Sequence, residues 1–385
     1  MLAQVIIVPT ALAATTASNL NLNEVLNVAL ERGAPADNTV APFSSSAWLA
    51  ALPSVNVSYL ASDEREGTDE TELSLNLPIK STSGRRHDKT IAETSALAED
   101  TSNQRRRLFY SGLVREALWS LELSTAREEF TLRKLKLLQE LELSQQELLA
   151  AEAASLYGLL AIRQERLQAQ IELGEQRRGT ARWQLRFRQL TGLGNAPIGI
   201  DEPEPPKQFS PAQHPDMQQL TLDWQRRKSL LSAASEDSSP WNLSLTAKQL
   251  DNPLFDENQY GVALEIPLSF LDLDSEANRG EWREAAQHYW QAHDELQAQL
   301  YNNWQRLTNE DQFLHEKQTL LDEAAATARQ LISQLEQLRT SNEVGAEVWL
   351  RRTMEAVDIQ ASTAINQILI GQNKAMLRQA AGIPL

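Results

Sequence analysis

Residues 260–268 read YGVALEIPL and alternate apolar with polar side chains. Extended backbone points successive side chains to opposite faces of a strand. One face of this segment would carry Val262, Leu264, Ile266 and Leu268. Residues 71–80 read TELSLNLPIK and repeat the pattern, with one face carrying Leu73, Leu75, Leu77 and Ile79. The sequence therefore predicts two strands, far apart in the chain, that each have one apolar face.

The rest of the chain has the composition of long helices. Only 15 Gly and 15 Pro interrupt 385 residues, so most elements should be long. A net charge of −16 provides no basic surface for nucleic acid. The chain has no cysteine, which excludes disulfides, thiolate catalysis, Cys-ligated metals and the acylated Cys of a lipoprotein.

The N-terminal residues have the pattern of a secretory signal peptide. An apolar run at 5–8 is followed by Ala11 and Ala13 in an A-x-A arrangement, which predicts cleavage near Ala13. A basic first region is missing, so an apolar segment that packs on the protein body is the alternative. No other segment approaches the roughly 20 apolar residues of a membrane-spanning helix.

The chain contains an internal repeat. Residues 340–383 align without a gap on residues 150–193, so that Leu350 falls on Leu160 and Gly382 on Gly192. Each alternating strand is also preceded by a second candidate strand, LPSVNVSYL from residue 52 and SPWNLSLTA from residue 239. We interpret the chain as a tandem duplication of strand, polar loop, strand and long helical segment.

The helical segments have the spacing of coiled coils. In the second copy a seven-residue period runs through Leu300, Leu307, Leu314, Leu321, Ala328 and Leu335. A looser set in the first copy is Val114, Leu118, Leu121, Leu137, Leu141 and Leu148. Such a period shows only that helices pack side by side, so a soluble coiled-coil scaffold without membrane insertion would also have it.

The strands have the length and alternation of membrane strands. A tilted strand crosses a bilayer in about 9–11 residues, and Trp48 and Trp241 stand where interfacial aromatic residues are expected. The side chains that we assign to lipid are Leu73, Leu75, Leu77, Val262, Leu264 and Ile266. Four strands cannot close a barrel, so three chains would have to share one. The alternative is a pair of soluble β-hairpins at the end of a coiled-coil bundle.

Several motifs together resemble the TolC-like outer-membrane efflux protein family. They are LNLNEVLNVALERGAP at 20–35, HPDMQQLTLDW at 214–224, LPSVNVSY at 52–59, YGVALEIPL, and the paired helix ends LRFRQLTGLG and MLRQAAGIP. Residues 266–285, IPLSFLDLDSEANRGEWREA, are similar to the heavy-metal efflux subgroup. The resemblance implies a homotrimer in the bacterial cell outer membrane with a periplasmic extension, which docks through a periplasmic adaptor protein onto an inner-membrane pump.

The expected fold class is mostly α with short β. It combines tandem-duplicated long α-helical coiled-coil hairpins with four transmembrane β-strands per protomer, in a trimeric α-barrel and β-barrel. The expected segments are a signal peptide at 1–13, an N-terminal equatorial segment at 14–52, a first β-hairpin at 53–79, a first long helical hairpin at 80–192, a linker and equatorial helix at 193–239, a second β-hairpin at 240–270 and a second long helical hairpin at 271–383.

The resemblance also implies an adaptor-binding tip at the turn of each helical hairpin. The expected contact residues are Ser155, Leu156 and Tyr157 at one tip and Asn342, Val344, Gly345 and Ala346 at the other. A plain helix–helix turn would explain Gly345 equally well. Where well-studied members carry gate-closing aspartates, this chain has Arg351 and Met354, so an aspartate gate is not expected.

Catalytic and metal-binding patterns are weak in this sequence. Of the five histidines, only His288 and His293 come near a metal-ligand spacing, and we interpret them as a solvated helix face. The sequence contains no nucleophile elbow, phosphate loop or zinc-binding HExxH motif. We therefore expect a passive outer-membrane export duct without a cofactor or a metal, rather than an enzyme.

Overall fold

The computed structural model describes residues 21–33, 46–152, 155–197, 199–236, 241–266, 276–340 and 346–385. The helices are α1 (Leu22–Arg32), α2 (Thr82–Ala150), α3 (Leu156–Thr191), α4 (Pro215–Glu236), α5 (Glu276–Thr340) and α6 (Ala346–Ala380). The strands are β1 (Ser54–Leu60), β2 (Asp69–Ile79), β3 (Trp241–Asn252) and β4 (Phe255–Glu265). The expected signal peptide lies outside the described residues. Among the described residues, no helix is both long and apolar enough to cross a membrane.

The helix boundaries of the two copies match the sequence duplication. Under the alignment that places Leu350 on Leu160, the end of α2 falls on the end of α5, and the start of α3 falls on the start of α6. The aligned Gly192 and Gly382 both adopt left-handed backbone, with φ of 75° and 79°. A side chain is disfavoured at both positions, because left-handed φ brings Cβ close to the following carbonyl. The same local chemistry therefore ends the return helix of each copy.

The four strands form one antiparallel sheet in the order β1-β2-β3-β4. The pairing of β2 with β3 joins the strands of the two copies, with Leu75 opposite Leu245. The acidic sequence LDNPLFDEN at 250–258 predicts a polar loop between β3 and β4, but the turn is much shorter, because Asn252 pairs with Phe255 and leaves only Pro253 and Leu254 between the strands.

The described chain divides into two compact units. The first is built from described parts of Met1–Pro35, Gln104–His214 and Ala298–Leu385, and the second from described parts of Ala36–Asn103 and Pro215–Gln297. Each unit combines segments from both copies of the repeat, so neither copy folds as a separate domain. The second unit holds the sheet, and in it α4 contacts α5 through stacked rings of Trp224 and Tyr289, whose centroids are 5.2 Å apart.

The core of the first unit consists of helix–helix contacts. One apolar cluster joins α2, α3 and α6 and contains Leu135, Leu138, Ile162, Ala169, Leu173, Leu350 and Met354. A second cluster packs α1 against α2 and α3, and a third joins α5 to α6. The predicted seam of the second copy is buried or half-buried along its length. The first-copy prediction was wrong at Leu148, which is 44% exposed, because the buried face of α2 in that stretch runs through Glu142 and Gln145.

Two asparagines seven residues apart fix the contact between α5 and α6. Asn366 is fully buried and donates from Nδ2 to the carbonyl of Leu314 at 2.9 Å. Asn373 donates in the same way to the carbonyl of Leu307 at 3.0 Å. Because a buried polar side chain loses its partner when helices slide, the pair specifies the register of this coiled coil.

Candidate functional site

The sheet has one continuous apolar face. Residues that oppose each other in an antiparallel ladder lie on the same face. The register therefore brings together the rows Val55–Leu75–Leu245–Val262, Val57–Leu73–Ala247–Tyr260 and Leu77–Leu243–Leu264. Several of these side chains are strongly exposed, with Val262 at 74% and Tyr260 at 83%. Such a contiguous exposed apolar surface is characteristic of contact with lipid or with another protein.

The opposite face of the sheet is polar. It carries the rows Ser54–Asn76–Ser244, Asn56–Ser74–Thr246 and Ser58–Glu72–Lys248. Ser244 Oγ donates to Asn76 Oδ1 at 2.7 Å, and Lys248 Nζ lies 2.5 Å from Glu70 Oε2. The two faces therefore differ in chemistry as the sequence alternation predicts.

Both outer edges of the sheet are open within the described residues. β1 pairs only with β2, and β4 pairs only with β3. Every residue of β4 is exposed. The outward N–H and C=O groups of these strands are available for pairing with another strand.

The residues that the sequence assigns to lipid lie on one face of the sheet, except Ile266, which lies just beyond the end of β4. Leu73, Leu75 and Leu77 lie on β2, and Val262 and Leu264 on β4. β4 ends at Glu265, so Ile266 directly follows the strand and is half-exposed. Sequence reasoning left out four further members of this face, although the alternation in SVNVSYL and WNLSLTA contains them: Val55, Val57, Leu243 and Leu245.

The first hairpin tip lies between α2 and α3. Ser155 is the N-cap of α3, and its Oγ accepts a hydrogen bond from the N–H of Gly158 at 3.2 Å. Leu156 and Tyr157 follow it with 59% and 68% exposure. The cap satisfies a backbone donor at the start of the helix, which fixes where these two side chains leave it. The structure thus places an exposed aliphatic and an exposed aromatic side chain side by side at this end.

An ionic cluster joins α2 to α3 near the first tip. The Glu142 carboxylate accepts from Arg163 Nε at 2.9 Å and lies 2.5 Å from Arg166 Nε. The hydrogen bond from Arg163 holds the pKa of Glu142 below its usual value; burial opposes this effect, and Arg166 reinforces it. Sequence reasoning missed the cluster, because a glutamate among many on an acidic helix has no distinguishing spacing.

Less of the second tip is described. Ala346 is the first residue of α6, whereas Asn342, Val344 and Gly345 lie outside the described residues. Further along α6, Met354 is buried against α2 and α3, and the exposed Arg351 pairs with Glu355 at 3.7 Å. Met354 therefore belongs to the helix core.

The histidines do not come together. His293 Nδ1 lies 3.2 Å from the carboxylate of the neighbouring Asp294, and His288 is exposed on α5. The part of the chain that the structure describes contains no group of three or more His, Asp or Glu side chains placed to hold a metal ion.

Several solved structures of bacterial membrane proteins have a fold similar to that of this chain. No protein-family model and no curated protein sequence matches the chain. Its fold is similar to that of CusC, whose structures describe transmembrane channel formation, with a TM-score of 0.64, 14% identity, and coverage of 87% of this chain and 84% of CusC. The Campylobacter jejuni CmeC outer-membrane channel has a TM-score of 0.64 and 14% identity, with coverage of 94% of this chain and 85% of CmeC. The Vibrio cholerae outer-membrane protein VceC has a TM-score of 0.64 and 14% identity, with coverage of 94% of this chain and 91% of VceC.

These comparisons establish the fold of the chain. It is the fold of CusC, CmeC and VceC, and in this chain it combines long helices with a short antiparallel sheet. The similarity covers both copies of the repeat, because more than four fifths of each chain is aligned in all three cases.

Proposed function

We propose that this protein is the outer-membrane channel component of a tripartite efflux or secretion system in a bacterial cell. Three copies share one barrel of twelve strands, and their helices form a duct that extends into the periplasm. The duct is passive, because the driving energy comes from an inner-membrane pump. It carries out no catalysis. The segment 1–13 directs the chain to export and is removed.

The sheet is the observation that carries this proposal. Its apolar face is continuous across all four strands, and its other face is lined with Ser, Asn, Thr and Lys. A sheet in a bilayer needs apolar side chains toward lipid and polar side chains toward water. It also needs neighbours at both edges, because unpaired backbone groups are costly in lipid. Identical chains on either side supply those neighbours.

The exposed first hairpin tip supports the assignment of a docking end. Leu156 and Tyr157 are exposed beside a rigid cap, and the second copy begins α6 at the aligned Ala346. We assign these residues, with Ser155, Asn342, Val344 and Gly345, to contact with a periplasmic adaptor protein. An exposed aromatic beside small residues is suited to a partner's helical hairpin, because it offers contact area and close approach.

Membrane fractionation combined with unheated gel electrophoresis tests the proposal. The expected result is a heat-sensitive trimer in the outer-membrane fraction, with an N-terminus that begins after Ala13. A heated sample of the same fraction, which should run as single chains, is the control. A soluble monomeric species would contradict the channel and favour a coiled-coil scaffold without membrane insertion.

A further inference from the structure

One wall of a cleft in the first unit is the linker that follows α3. The cleft has a volume of about 630 Å³, and its other walls are α2, α5 and α6. Two ion pairs hold the linker to these helices: Glu202 Oε2 lies 2.6 Å from Arg115 Nη2 of α2, and Glu204 Oε1 lies 2.7 Å from Lys374 Nζ of α6. Small-molecule sites have volumes of about 300–1,000 Å³, so the cleft has the size of a binding site.

The apolar part of the cleft is built around Trp119 of α2. Its indole ring packs against Gly371 of α6, where an added Cβ would lie 2.4 Å from Trp119 Cη2. Any larger residue at position 371 would therefore displace the ring. Ile200 of the linker and Ile368 of α6 add further apolar surface to the same cleft. Apolar and aromatic walls of this kind are suited to a ring system.

Trp119 also carries a hydrogen-bond donor that lacks an acceptor. The side chain is 6% exposed, and its Nε1 has no hydrogen-bond partner within the part of the chain that the structure describes. A buried N–H group without an acceptor is costly. A ligand that brings an oxygen or nitrogen acceptor to this side of the cleft would remove that cost.

The polar part of the cleft is acidic. Its two linker glutamates have cationic partners, but Glu122 and Asp201 also line it, and both are exposed. Among the described residues, neither of these two carboxylates has an ionic partner or a hydrogen bond. Asp311 accepts from Asn373 Nδ2 at 3.2 Å and lies 3.6 Å from His315 Nδ1. Carboxylates without a cationic partner beside an apolar surface favour a ligand that carries positive charge.

We propose that this cleft binds an organic cation in which a protonated amine is joined to a flat ring that carries a hydrogen-bond acceptor. The ring lies against the apolar side chains, and its acceptor receives the N–H of Trp119. The ammonium group lies beside Glu122 and Asp201. All these residues belong to one chain, so the site does not require assembly and does not rest on the proposed function.

Calorimetric titration of the purified full-length protein tests the binding. Quinine is the probe, because it joins a protonated amine to a methoxyquinoline ring that has nitrogen and oxygen acceptors. We expect saturable binding of one quinine per chain, and much weaker binding of methoxyquinoline alone, which lacks the amine. No saturable binding of quinine, or equal binding of the two compounds, would overturn the proposal.

Charge variants test where the amine binds. The double variant Glu122→Gln with Asp201→Asn should raise the Kd for quinine by about tenfold, because charge-assisted contacts are lost. Both side chains are exposed, so the fold should be retained. Glu165→Gln with Glu175→Gln is the matched control, since it removes two exposed carboxylates of α3 that do not line the cleft. Equal effects of the two double variants would show that quinine responds to net charge alone and would reject the site.

Protection of an introduced cysteine tests where the ring binds, since the chain has no cysteine of its own. Bound quinine should slow alkylation of Ala364→Cys, which lies in the cleft, and should leave Ser362→Cys unchanged. Ser362 is exposed on the same helix but does not line the cleft. Protection of both cysteines, or of neither, would contradict the proposed site.

Fractionation of the same samples separates this proposal from the proposed function. A soluble monomer that binds quinine in the cleft would retain the site and reject the channel. An outer-membrane trimer that does not bind quinine would retain the channel and reject the site.

Discussion

Arg115 is fully buried in the first unit, and its charge is matched by a network of partners. Its Nη2 donates to Glu202 Oε2 at 2.6 Å, and its Nη1 donates to Gln379 and to the carbonyl of Ile383. Arg378 contacts the same carboxylate at 3.2 Å. A buried charge is tolerated only when it is paired and hydrogen-bonded, so the linker that contains Glu202 is held to α2 and to the end of α6 by this one group.

Removal of the guanidinium should therefore destabilise the first unit. We expect Arg115→Ala to lower the free energy of unfolding by about 3–5 kcal/mol, because Glu202 stays buried with one cation fewer. Denaturant unfolding of the detergent-solubilised protein measures the change. Arg133→Ala is the matched control: its ion pair with Glu129 is exposed, and its loss should cost less than about 1 kcal/mol. Similar losses for the two variants would refute the role of the network.

The Glu142 cluster should make the first tip sensitive to acid. Its pKa in the folded protein is lower than in the unfolded chain, so its contribution to stability is complete above the unfolded value of 4.5. That contribution is lost as the pH falls through the lower, folded pKa. We expect Glu142→Gln to be less stable than the wild type at neutral pH and to approach it in acid, as measured by hydrogen exchange at the tip. Parallel pH profiles for the two proteins would contradict this assignment.

Sequence reasoning predicted least at the scale of single residues and their contacts. Arg115 and Glu202 lie 87 positions apart, and Glu202 stands in a proline-rich stretch that reads as an exposed linker. Nothing in their local pattern distinguishes them from the many solvated charges of this acidic chain. Partners at that separation depend on how the helices pack, which a single sequence does not encode locally.

The sequence predicted the strands and the helix ends more closely. The alternation around Leu75 and Val262 predicted strands with one apolar face, and the repeat predicted which helix ends correspond. The short turn at Pro253 and Leu254 was missed because charged residues on both sides read as a polar loop, although cross-strand pairing extends through them. Leu148 was placed in a seam because a seven-residue period does not say which of two adjacent helix faces is buried.

At the scale of the sheet, the two faces should respond differently to charge. We expect Leu264→Arg or Leu75→Arg to cost about 2–4 kcal/mol near the bilayer midplane, because an arginine at either position would face lipid in the proposed channel. Glu265→Arg and Asn76→Arg are the matched neighbours on the polar face and should be tolerated. Heat stability of the assembled channel on unheated gels compares the four variants. Equal losses on both faces would show that the lipid-facing assignment is wrong.

At the scale of the whole molecule, export should depend on the hairpin tips while assembly does not. We expect Tyr157→Glu, or a bulky charged residue at Gly345, to abolish export, because a charge would prevent close packing of the proposed adaptor. Efflux from intact cells measures function, and unheated gels measure assembly. Phe109→Glu is the control, since Phe109 is an equally exposed aromatic on α2 away from the tips. Wild-type export by the tip variants would show that the docking end has been misplaced.

The open edges of the sheet have a consequence for how the proposed channel is made in the cell. A single chain that entered the bilayer alone would leave the outer backbone groups of β1 and β4 without partners, so insertion and association have to occur together. Before that event the same edges can pair with any exposed strand, which makes the newly synthesised chain prone to aggregate. Because several chains must meet in one step, the yield of channel should rise more steeply than the amount of chain that is made.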